Sequence, residues 1–286
     1  MNISIFAPSG FTKHRDLSED LRMVSPSRFL VVLAMMCMSA SALLADEWIE
    51  CEGGYEFHLQ GVTRDQDKNL YWSFTTELVK TDAQGKLIAK VDVDNHHGDL
   101  TYRDGKIYVA VNLGEFNEPQ GKADSWVYVY DAESLEALAQ NWTPEVVHGA
   151  GGIAFKDGNF YVVGGLPDGV IENYIYEYRS DFRFIKRHVI ESGWTQMGIQ
   201  TAEWYAGAWW LGCYGDPRTL LTTNASFRLT GRFPFDCSLG IVAGGARQFF
   251  VAEGPKTVDG RCLGRVRLVQ PDPLKGLVAI EPAQTP

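Results

Sequence analysis

A hairpin that returns along the chain limits the fold more than any other feature of the sequence. Its openings are Gln60-Gly61-Val62-Thr63, His97-Gly98-Asp99-Leu100-Thr101, Gly151-Gly152-Ile153-Ala154-Phe155, Gly198-Ile199-Gln200-Thr201-Ala202 and Ser238-Leu239-Gly240-Ile241-Val242-Ala243. Each mixes glycine with small and β-branched residues and is followed by a turn and an aromatic run. The second continues Tyr102-Arg103-Asp104-Gly105-Lys106-Ile107-Tyr108-Val109, and the third continues Lys156-Asp157-Gly158-Asn159-Phe160-Tyr161-Val162-Val163. Asp-Gly between apolar runs predicts a type I′ turn, in which both central residues take positive φ. Ala206-Gly207 and Gly244-Gly245-Ala246-Arg247 are degenerate copies. Short antiparallel strands repeating every 40 to 50 residues or so predict propeller blades.

The expected fold is all-β: a single five-bladed β-propeller of four-stranded antiparallel blades over 46–286, preceded by a leader over 1–45. Blade one spans about 59–93, with strands at 60–63, 70–74, 77–81 and 87–91. Blade two spans about 96–142 and carries a Gly- and Pro-containing insertion, 113–124, of the kind that shapes pockets. Blades three and four span about 149–190 and 198–231. Blade five begins near Ser238, its last strand supplied either by 277–280 or by Trp48-Ile49-Glu50, the latter closing the ring and removing a sheet edge. Aligned aromatics in blades two and three are expected between sheets.

Arg22 and Arg28 precede the apolar run 29–38, and Ser39-Ala40-Ser41-Ala42 follows it, the pattern of a cleaved secretory signal. Met23 is the more conventional start for such a signal. The run is short for a membrane span and is soon met by Asp46 and Glu47, so stable membrane insertion is not expected. A secreted or periplasmic location follows. Past the leader stand Cys51, Cys213, Cys237 and Cys262, for which an oxidising compartment predicts two disulfides, with Cys51–Cys262 and Cys213–Cys237 favoured among three pairings. A net charge of −10 without a Lys/Arg stripe excludes a nucleic-acid surface. A monomer is expected.

Links leading into the innermost strands of a propeller meet at one end of its channel. Here they hold His58, Gln60, His96, His97, Asp99, His148, Gln196, Gln200 and Asp236. Imidazoles, amides and carboxylates gathered there suit a small polar ligand or glycan. His58, Gln60, His96, His148 and Gln200 are the candidate ligand contacts. His58, His96 and His148 are also candidate ligands for a divalent metal at the channel mouth, since a catalytic zinc needs about three protein donors. The alternative is that these histidines satisfy backbone carbonyls beside the glycine turns. Glu203 and Asp99 are the candidate acid and base, Glu203 because it stands beside the aromatic pair Trp204-Tyr205. No Gly-x-Ser-x-Gly elbow supports a serine hydrolase.

Phe57-His58-Leu59-Gln60-Gly61-Val62, Gly98-Asp99-Leu100-Thr101 and Glu203-Trp204-Tyr205-Ala206-Gly207-Ala208-Trp209-Trp210 resemble the blade openings of five-bladed glutaminyl cyclotransferases, over about 57–253. The resemblance implies five blades and, more distantly, closure of an N-terminal glutamine onto its own side chain with loss of ammonia, using carboxylates and aromatics at the channel mouth. Gly98-Asp99-Leu100 stands where that family has a Gly-Glu-Gly-Leu opening. Two functional classes follow: a ligand-binding channel mouth with hydrolase- or lyase-like chemistry, or a noncatalytic ring presenting loops such as 113–124 to a protein or glycan.

Overall fold

The computed structural model describes residues 48–280. The expected leader lies outside the described residues. Twenty strands and no helix form the regular structure of the described part. After β1 (Ile49–Glu50), a first antiparallel meander comprises β2 (Gly61–Arg64), β3 (Leu70–Ser73), β4 (Thr75–Thr81) and the start of β5 (Leu87–Arg103). A second uses the end of β5 with β6 (Lys106–Asn112), β7 (Ser125–Asp131) and β8 (Ala137–Trp142). The expected break between these meanders is absent, because alternation continues from Leu87 to Val93 and no Pro or Gly interrupts before Gly98. One continuous β5 therefore pairs with β4 at one end and β6 at the other, fusing the two meanders into a seven-stranded sheet.

The next two sheets are four-stranded meanders: β9 (Ala150–Lys156), β10 (Asn159–Gly164), β11 (Asn173–Arg179) and β12 (Phe184–Ile190), then β13 (Gln196–Tyr205), β14 (Ala208–Tyr214), β15 (Thr219–Thr223) and β16 (Leu229–Phe233). The last contains β17 (Ile241–Gly245), β18 (Gln248–Glu253), β19 (Arg265–Asp272) and β20 (Gly276–Ala279). Its outer edge uses both chain ends: Ile49 and Glu50 pair with Val266 and Arg265, while β20 pairs with Val269 through Asp272. The eight-residue β19 is long enough for each partner to cover one end.

Strand alternation explains how adjacent large residues serve different neighbours. Trp209 joins the cluster of Tyr161, Val163 and Ile175, whereas Trp210 joins Phe249, Val251 and Val269. Tyr71 and Trp72 divide in the same way, as do Phe249 and Phe250. The core thus consists of five clusters, each wedged between successive meanders. The innermost strands touch in a closed cycle, β2 to β5, β9, β13, β17 and back to β2. The aromatics Tyr108, Phe160 and Phe182 pack with one another between sheets, as expected from the sequence.

The Asp-Gly hairpins have the expected backbone, with φ of +48° and +76° at Asp104 and Gly105, and +50° and +88° at Asp157 and Gly158. Neither expected disulfide is formed: Cys51, Cys213, Cys237 and Cys262 are buried free thiols. Burial pushes Cys51 and Cys213 up to about 12, which suppresses the thiolate that oxidation requires.

Candidate functional site

The links into β2 and β5 bring one group of side chains together at the end of the inner-strand cycle. The rings of His58 and His96 lie 6.2 Å apart. Gln60, buried at the start of β2, donates its amide to His96 Nε2 at 2.6 Å and to Thr75 Oγ1 at 3.4 Å. The Thr75 hydroxyl in turn donates to the His58 carbonyl at 3.1 Å. With Nε2 accepting, a neutral His96 carries its proton on Nδ1. Burial lowers both pKa values, helped at His58 by Lys256 and at His96 by His58 itself. Among the described residues, Gln60 Oε1, His96 Nδ1 and both ring nitrogens of His58 make no hydrogen bond. The pair therefore offers neutral donors and acceptors to solvent.

His97 and His148 follow the alternative reading. His97 is fully buried, its Nδ1 donating to the Asp94 carbonyl at 2.6 Å and its Nε2 paired with the Tyr130 hydroxyl at 2.7 Å. Burial pushes it down to about 4. His148 Nδ1 donates to the Glu118 carbonyl at 2.8 Å, and its ring lies beside Tyr174. The candidate metal set His58, His96 and His148 is not brought together among the described residues. No group of three or more His, Cys, Asp or Glu side chains is placed to hold a metal ion among the described residues.

The insertion 113–124 is fastened rather than loose. Asn117 donates its N–H to the His148 carbonyl at 2.9 Å and accepts from the Leu166 N–H at 2.8 Å. The Phe116 ring rests on Gly149 and Gly151, where a Cβ at Gly149 would collide with it. Glycine is needed there for a second reason, its φ of +100°. Phe116 thus forms a wall over the start of β9. It and Thr75 are the site residues that sequence reasoning did not name, although the insertion was visible as a shaping loop.

Deeper among the inner strands lies Asp99, 1% exposed. Its Oδ2 accepts the Ala202 N–H at 3.2 Å. It thereby ties β5 to β13, while Gly61 on β2 and Gly152 on β9 leave the space that a Cβ would fill. Burial, and next to it the nearby Glu203 charge, hold Asp99 well above the usual carboxylate range. Asp99 Oδ1 has no partner. Glu203 borders β17, accepting the Ala243 N–H at 3.4 Å, and burial pushes it up to about 8. Burial thus raises both carboxyls, and the Glu203 charge adds to the rise at Asp99. Gln200 is buried and its amide donates to the Met197 carbonyl, which leaves it a structural role.

No family model and no curated protein sequence matches the chain. Among solved structures it is similar to Myxococcus xanthus glutaminyl cyclase, at 14% identity and a TM-score of 0.53, covering 77% of this chain and 94% of that one. The fold is a β-propeller. BamB from Moraxella catarrhalis is a looser likeness, with 16% identity, a TM-score of 0.38, and coverage of 76% of this chain and 59% of that one. In propeller terms, the clustered side chains stand where chain links lead into the innermost strands, and the two acids stand on those strands, on β5 and β13.

Proposed function

We propose that the protein is a secreted or periplasmic five-bladed propeller that binds a small polar ligand at the His58–Gln60–His96 mouth. The blade count rests on the five-strand inner cycle, with β5 shared between the first two blades. The location rests on the charged, apolar and small-residue order of the leader. One observation carries the binding site: neutral imidazoles and an amide oxygen converge at the mouth with hydrogen-bonding atoms left free. A ligand carrying an amide, carbonyl or hydroxyl satisfies them without the cost of burying a charge.

Glutaminamide, a compact diamide, is a suitable first probe. It is expected to raise the melting temperature and to shift the His58 and His96 resonances, and the His96→Ala variant is expected to lose both responses. Failure of glutaminamide and of other small amides to perturb either histidine would refute the site.

The similarity to glutaminyl cyclase favours a second, catalytic reading. In it, Asp99 or Glu203 moves protons while an N-terminal glutamine closes and ammonia leaves. Ammonia release from a glutaminyl peptide, lost in Glu203→Gln and Asp99→Asn, supports this reading; no release above background removes it and leaves a noncatalytic binder.

A further inference from the structure

We infer that a second, separate site on the fourth meander takes a neutral saccharide. A cavity of about 340 Å³ opens among the link into β13, the β14–β15 link and the end of β16. Its volume falls within the range of small-molecule pockets. Its aromatic walls are Trp194, Tyr214 and Phe233, and its polar lining includes Gln196 and Asp216. Of the link residues named from the sequence only Gln196 lines it; His58, Gln60 and His96 do not.

The position of Trp194 carries the inference. Its side chain is 44% exposed, yet the backbone beneath it is held from two sides. Arg232 donates to the Ser192 carbonyl at 2.7 Å and to the Trp194 carbonyl at 3.1 Å. The buried Asn173 amide donates to Ser192 Oγ at 2.8 Å and to Thr195 Oγ1 at 2.9 Å. An exposed indole on a fixed loop is a preformed platform, since little ordering cost remains when a ligand stacks on it. Tyr214 is fixed too: the Arg218 guanidinium lies 4.8 Å over its ring and donates to Ser238 Oγ at 2.9 Å.

Charge selects the ligand class. Arg232 and Arg218 oppose a cation in the aromatic cavity, and the Asp216 carboxylate opposes an anion. The Gln196 amide and Asp216 carboxylate make no side-chain hydrogen bond among the described residues and are exposed. A sugar ring matches this arrangement: its C–H face stacks on the indole, and its hydroxyls donate to the carboxylate and exchange hydrogen bonds with the amide.

The test titrates the full chain with maltose, lactose, cellobiose and diacetylchitobiose to about 10 mM, read by tryptophan fluorescence and saturation-transfer NMR. At least one disaccharide is expected to bind. Trp194→Ala is expected to weaken it by tenfold or more, and Asp216→Asn by roughly tenfold, both while melting within about 2 °C of wild type. His96→Ala is expected to bind it unchanged, which separates this site from the channel mouth. Absence of binding by all four sugars, wild-type affinity in Trp194→Ala, or a preference for choline or phosphate at this cavity would overturn the assignment.

Discussion

The channel interior and the channel mouth use similar polar side chains to opposite ends. Inside, Asp99 Oδ2 receives the Ala202 N–H from β13, so it is part of what aligns that strand with β5. At the mouth, Gln60 fixes His96 through one nitrogen and leaves the other free. The interior group is committed to the fold, whereas the mouth groups are positioned by the fold without being consumed by it. The contrast lies in what the polar atoms face: Asp99 meets a neighbouring strand's N–H in the buried interior, whereas the free atoms of His58 and His96 face solvent.

The largest expected effect tests the framework around both regions. Trp209→Ala and Trp210→Ala should each cost about 3–5 kcal/mol in urea unfolding, because each empties a different inter-sheet cluster. Equal loss of both clusters' protection from either substitution would blur that division. Next, Asp99→Ala should cost about 2–3 kcal/mol by orphaning the buried Ala202 N–H, while Asp99→Asn, which keeps an acceptor, should cost less than about 1 kcal/mol. His96→Ala should change stability by less than about 1 kcal/mol. A mouth variant as damaging as Asp99→Ala would erase the contrast.

Glu203 sharpens the comparison through pH. Its pKa in the folded protein, about 8, lies above its ordinary value of 4.5. As pH rises between those values, the unfolded chain ionises first, so the folded state loses stability across that window. The Glu203→Gln variant should flatten this decline, giving its greatest relative gain near pH 8, as thermal unfolding across pH 4.5 to 8.5 would show. An unchanged slope would mean that Glu203 does not hold its proton in the channel.

The repeating hairpins were legible because turn chemistry is local: Asp104-Gly105 and Asp157-Gly158 demand positive φ whatever surrounds them. The gathering of His58, Gln60 and His96 was legible once the repeats were aligned, since equivalent links meet at one channel end. Other features depended on contacts that spacing does not encode. His148 belongs with the insertion because Asn117 and Glu118 reach it across the meander. His97 and His96 are neighbours in sequence, but strand alternation turns one into the core and the other toward the mouth. Asp99 was identified as an acid, while its role in joining β5 and β13 required the contact of those strands. The two disulfides were expected from the compartment, which says nothing of how deeply each thiol is buried.

Imidazole nitrogen NMR tests the central claim most directly. With the channel mouth as described, His96 at pH 7 is neutral with its proton on Nδ1, and His58 and His96 shift on addition of glutaminamide while His97 does not. A charged His96, a proton on Nε2, or a mouth that ignores every small amide while His97 responds would contradict the account.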